Sequence, residues 1–278
     1  MPLSRRDLLR SGLAVVVVAG TATACGLFED DGPEVIDYGD AESQFGELFL
    51  PSGDPRATIV LVHGGSWQDD TDLGLVRPMA RDLAREGYAV WNVEYRRVGE
   101  DGGGWPGTFE DVGAAVDHVA VMAAEHPVDP ERVIVVGHSA GGTLALWAGG
   151  RPDGVRPLGV VSLAGFTDLE ACVQEDLLAG ACSRVLGGTP AEVPDRYLQA
   201  SPLQRLPIDV AQVLVHGADD EIVPVRQSVQ YAAAAEAAGD RASAVTVPDA
   251  GHFQLIDVKH PAYGDVLTGI DQLASGSA

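Results

Sequence analysis

The sequence predicts an α/β fold: a mostly parallel central sheet flanked by helices, with a small cap insertion. Three observations carry this reading. Short β-branched or apolar runs recur at 57–62, 133–136 and 158–163, without the polar alternation of a strand that has one wet face. Segments with helical spacing separate them. Between 166 and 206 the alternation gives way to cysteines, glycines and prolines, the mark of an insertion over the sheet.

Taken in order, residues 44–50 and their surroundings supply the first strands, closed by the turn cluster Pro51-Ser52-Gly53-Asp54-Pro55. ATIVLV at 57–62 is the first core strand and runs straight into His63-Gly64-Gly65-Ser66-Trp67. Residues 75–86 put Leu75, Met79 and Leu83 on one face before Gly87, so they form a helix, and 88–95 follows as a strand. The glycine-rich stretch 97–107, with Trp105-Pro106, reads as a surface connector. Residues 108–125 carry Val112, Ala115, Val116, Val119 and Met122 at i, i+3, i+4 spacing, with Thr108 as the expected N-cap. His118 and His126 fall on this helix or its end as surface or packing residues. Strands at 133–136, 158–163, 210–216 and 242–247 and helices at 143–148, 224–238 and 265–273 complete the pattern. No internal repeat or second domain interrupts it, and 278 residues suit one large domain.

Between the strand at 133–136 and the helix at 143–148 lies Gly137-His138-Ser139-Ala140-Gly141. A G-x-S-x-G in that context is a nucleophile elbow, a sharp turn that lifts a serine hydroxyl above the sheet. A serine hydroxyl attacks poorly until an imidazole takes its proton, and that imidazole needs a carboxylate to fix its tautomer. Both are available after later strands, in the order serine, acid, histidine: His216-Gly217-Ala218-Asp219-Asp220 and then Gly251-His252-Phe253. The oxyanion of a tetrahedral intermediate also needs donors. The Ala140 amide and the amides of Gly64, Gly65 and Ser66 are the candidates. His63, His138 and His216 belong to turns beside the site and orient backbone. None of the histidines shows metal-ligand spacing, so neither a metal nor a cofactor is expected.

The motifs HGGSW, GHSAGG, HGADDEIVP and GHF together make residues from about 44 onward resemble an α/β-hydrolase. They look close to small esterases with an HGG-x-W oxyanion turn, including kynurenine-formamidase-like and hormone-sensitive-lipase-like groups, and related to prolyl-oligopeptidase-type catalytic domains. The resemblance implies Ser139 as nucleophile, His252 as base and Asp220 as acid, since HG-x-x-D-x-x-VP places the acid there; Asp219 is the competing position. It implies a carboxylic-ester hydrolase of small acyl esters acting through an acyl-enzyme, with an amidase or aminopeptidase as the alternative. A binding lipoprotein that kept the fold is an alternative of another class. The chain has HGGS where the hormone-sensitive-lipase group has HGGG.

The first 24 residues read as an export signal. Ser4-Arg5-Arg6-Asp7-Leu8-Leu9-Arg10 resembles the twin-arginine pattern, and the apolar run after it is too short to span a bilayer. The run ends at Ala22-Thr23-Ala24-Cys25, either an A-x-A cleavage site or an imperfect lipobox. Three cysteines in an exported chain leave one odd. Cys172 and Cys182 share one segment and can pair, which spares Cys25 for a lipid and favours a lipoprotein on the outer face of the cytoplasmic membrane. A secreted, soluble protein is the alternative. Residues 25–40 then form an acidic tether and 41–278 the catalytic domain. With 18 basic against 41 acidic side chains, a net charge of −23 argues against nucleic acid and against adsorption to anionic lipid. The partners expected are a small ester or amide and, through the anchor, a membrane.

Overall fold

The structure, a computed structural model, describes residues 32–277. The export signal, Cys25 and residues 26–31 of the expected tether lie outside the described residues. Eight strands form one sheet: β1 (Glu34–Asp37), β2 (Phe45–Phe49), β3 (Thr58–Val62), β4 (Ala89–Val93), β5 (Val133–His138), β6 (Gly159–Leu163), β7 (Ala211–Gly217) and β8 (Ala242–Val247). Their spatial order is β1-β2-β4-β3-β5-β6-β7-β8. The pairings β1–β2 and β2–β4 are antiparallel and the other five are parallel, so the sheet is mostly parallel, as the sequence predicts. One boundary differs from expectation. The sequence places Glu34–Asp37 in the tether, yet it pairs with Phe45–Leu48 as the edge strand, so the folded domain begins ahead of residue 41.

Helices cover both faces because the central strands are apolar on both. In β3, Ile59 and Leu61 point into one core while Val60 and Val62 point into the other. The first core takes α1 (Arg77–Arg85) through Met79 and Leu83, and α8 (Tyr263–Ser275) through Val266, Ile270 and Leu273. The second takes α2 (Gly107–Met122), α3 (Ala140–Gly149) and α7 (Arg226–Ala238), through Val112, Val116, Leu144 and Tyr231 among others. Val133 to Val136 are wholly buried, and each contributes about 1.5–3 kcal/mol of transfer free energy.

The insertion after β6 is helical: α4 (Leu169–Gln174), α5 (Ala181–Leu186) and α6 (Pro194–Ala200), packed on the α2–α3–α7 side. Cys172 and Cys182 form the expected disulfide. The 97–107 stretch is tied to this insertion, since the Trp105 amide donates to the Val185 carbonyl (2.7 Å) and the Trp105 ring packs edge-on against Phe109 and Trp147. Thr108 is not the N-cap of α2. The helix starts at Gly107, and the Thr108 hydroxyl instead bridges the Gly104 amide and the Arg96 carbonyl. His118 stacks on Trp91 and His126 faces Glu34, both packing roles as expected.

Candidate active site

All the candidate residues gather at the carboxyl ends of the parallel strands. The sheet order reverses direction around β3, and ligands in open α/β sheets bind beside such a switch point. Because β3 and β5 are neighbours, with Val62 opposite Gly137, the turn after β3 and the elbow after β5 meet by construction.

Ser139 sits at the elbow with φ 55° and ψ −120°, a conformation unfavourable for any side chain but glycine's. The following helix, α3, passes so close to β3 that a Cβ on Gly141 would lie 2.2 Å from the Val62 carbonyl oxygen. Only glycine permits that approach. Ala140 is the first residue of α3, so its amide has no carbonyl one turn earlier to bond and faces the space before the helix. Opposite, Gly64 packs onto the elbow: a Cβ there would come within 2.9 Å of the His138 carbonyl oxygen and 3.1 Å of the Ser139 Cβ. Gly65, Ser66 and Trp67 all follow with positive φ, of 115°, 53° and 59°.

β7 and β8 deliver the candidate acid, Asp220, and the candidate base, His252. The Asp220 carboxylate has all four lone-pair positions filled. One oxygen accepts from the amides of Ile222 and Val223, each at 2.8 Å; the other accepts from His252 Nδ1 at 2.7 Å and His216 Nε2 at 3.2 Å. Burial pushes this carboxyl up, but the bonds from His216, His252 and the Val223 amide outweigh it and hold it well below the usual carboxylate range. Asp219 is exposed and its carboxylate takes no part in this set. With Nδ1 committed to donating, His252 keeps Nε2 as the basic nitrogen. His138 holds the His252 ring from the other side. Its ring lies 4.7 Å from the His252 ring, and its Nε2 donates to the His252 carbonyl at 3.0 Å. Burial, then repulsion from His252, pushes His138 down to about 3, so it stays a neutral spacer.

The structure therefore brings Ser139, Ala140, Gly64, Gly65, Ser66, Asp220 and His252 to one end of the sheet. Cys172 and Cys182 lie in the cap. What the sequence understated is His216, read as orienting backbone. It does bond the Val223 carbonyl (2.9 Å), but it also supplies a second donor to the acid while Ser228 holds its Nδ1 (2.7 Å). Its place at the head of the HGADD motif was the available signal.

The fold and the site define an α/β-hydrolase. A family profile described as BD-FAE matches residues 47–234, well over half of the chain, and the chain belongs to that family, within the α/β-hydrolase esterase superfamily. It is 27% identical over 182 residues to the "Probable carboxylic ester hydrolase LipM" of Mycobacterium tuberculosis, an alignment covering 60% of this chain and 42% of that protein. It thus spans less than half of that relative. It is also 27% identical over 225 residues to the "Kynurenine formamidase avaC" of Aspergillus versicolor, covering 66% of this chain and 76% of that one. Among solved structures, a truncated carbohydrate esterase from gut microbiota superposes with a TM-score of 0.74 at 24% identity, over 89% of this chain and 98% of its own, a likeness of fold.

Proposed function

We propose that the chain is a serine hydrolase that cleaves carboxylic esters of small acyl groups through an acyl-enzyme. The observation that carries this is the arrangement of an elbow serine in strained backbone beside a His252–Asp220 pair joined at 2.7 Å. Ser139 Oγ attacks the ester carbonyl while His252 Nε2 takes its proton. Asp220, ionised and fully hydrogen-bonded, stabilises the imidazolium that forms. The Ala140 amide and those of the Gly64-Gly65-Ser66 turn hold the oxyanion. His252 then gives the proton to the departing alcohol, and water repeats the sequence to release the acid.

The LipM relative and the esterase-like fold support an ester substrate, and the formamidase relative supports an amide, which the same residues cleave if the leaving nitrogen is protonated. Hydrolysis of p-nitrophenyl acetate and butyrate, set against the matching anilides, separates the two. Esters turned over by the wild type and not by Ser139→Ala support the proposal; anilides turned over faster than esters favour the amidase. Cys25 lies outside the described residues. We further propose, from the sequence pattern alone, that the protein is exported and held by a lipid on that cysteine.

A further inference from the structure

A buried charged network lies behind the turn after β3, and neither the triad nor the cap uses it. Glu94, at the end of β4, is 2% exposed. One of its carboxylate oxygens accepts from His63 Nε2 (2.8 Å) and the Tyr95 amide (3.0 Å), the other from the Leu73 amide (3.0 Å). Arg97, 3% exposed, lies 3.6 Å from the first oxygen and donates to the Thr71 carbonyl and to Glu100. His63 is bonded at every polar side-chain atom and at its carbonyl. Nε2 meets Glu94, Nδ1 donates to the Gly64 carbonyl (2.6 Å), and the His63 carbonyl accepts from the Tyr95 hydroxyl (2.9 Å). The ring is stacked on Tyr95 at 4.3 Å and 13°.

The bond to Gly64 has a geometric consequence. In a trans peptide the C=O and the N–H of one unit point in opposite directions. Holding the Gly64 carbonyl toward His63 therefore turns the Gly65 N–H away from it, and Gly64 itself is packed against Ser139. We infer that Glu94 is a positioning residue for the oxyanion hole: it fixes the His63 ring, which fixes the Gly64–Gly65 peptide and the direction of the Gly65 N–H. The inference rests on the serine-hydrolase reading above. A burial role alone would make Glu94 equivalent to Glu47, a second buried carboxylate, which is held by Arg77 and Asn92 and does not touch the turn.

The test compares Glu94→Gln, Tyr95→Phe and Glu47→Gln, with p-nitrophenyl acetate as substrate and a trifluoromethyl ketone as a mimic of the tetrahedral intermediate. In Glu94→Gln the amide nitrogen faces either the His63 and Tyr95 donors or the Leu73 amide, so His63 or the Leu73 turn must shift. The expected result is a fall in kcat of about 10- to 100-fold, below or near the loss of one whole oxyanion donor, with KM changed less than about threefold. Ketone affinity should fall by the same factor as kcat. Tyr95→Phe removes only the bond to the His63 carbonyl and should show the same split more weakly, about three- to tenfold, so it decides the matter even if Glu94→Gln does not fold. Glu47→Gln should unfold at lower temperature with kcat unchanged. Equal losses in kcat for the Glu94 and Glu47 variants, or Tyr95→Phe with wild-type kcat and ketone affinity, overturn the inference. A wild type that does not hydrolyse the ester, or a Ser139→Ala variant that still does, overturns the parent reading instead.

Discussion

Asp220 and Asp219 stand side by side after β7, yet only Asp220 turns its carboxylate onto His252, at 2.7 Å, while Asp219 faces solvent. Asp220→Asn should lower kcat by about 10⁴-fold, because an amide favours the wrong imidazole tautomer, and Asp219→Asn should change it less than about threefold. Steady-state kinetics on the pair checks this, and a worse Asp219 variant reverses the assignment. His138 carries a second expectation. Burial keeps it neutral down to about pH 3, whereas an ordinary histidine charges below 6.5. The unfolded chain therefore binds a proton that the folded chain refuses between those values. The stability His138 contributes is complete above pH 6.5 and is lost as pH falls toward 3, by at most about 3 kcal/mol at pH 4.5. The drop in urea midpoint from pH 7 to 4.5 should be smaller in His138→Gln than in the wild type; equal drops contradict this. The catalytic candidates were legible because each stands at fixed spacing after a strand. Glu94 was not, since one carboxylate at a strand end looks like any solvated turn residue until its buried donors are seen.

Strands were the easiest elements to read, because a sheet covered on both faces leaves unbroken β-branched runs. β1 escaped notice for the opposite reason. Its four residues, EVID, are half-exposed at an edge and lie in an acidic stretch, so composition outweighed pattern. The cap helices, six, six and seven residues long, are too short to show a 3.6-residue period. Residue type makes Thr108 an N-cap candidate, but its hydroxyl finds its partners in the preceding loop. At this scale the close contact between α3 and β3 is the decisive constraint. Gly141→Ala would put a Cβ 2.2 Å from a backbone oxygen that cannot yield cheaply, and should cost about 2–4 kcal/mol in urea unfolding together with most of the activity. A Gly141→Ala protein with wild-type stability and turnover would show that the elbow and β3 are not packed as described.

The molecule as a whole is strongly acidic, so anionic headgroups repel it and the membrane attachment proposed above would depend on an anchor. The first strand begins at Glu34, nine residues after Cys25, and a fully extended chain of that length spans at most about 30 Å. A lipidated Cys25 would therefore hold the domain close to the bilayer. Two or more acyl chains give stable anchoring, so the protein should resist a salt wash, release in detergent, and appear in the medium as Cys25→Ala. Wild-type protein found mainly in the medium with an unmodified Cys25 contradicts the anchor. The chemistry itself is tested most directly by a fluorophosphonate, which loses fluoride as the nucleophile's oxygen bonds to phosphorus. After incubation with the native protein, the adduct is located by peptide mass spectrometry. The account predicts one adduct on Ser139, absent in Ser139→Ala and formed at least about a hundredfold more slowly in His252→Ala. An unmodified Ser139, or an adduct on another residue, would contradict it.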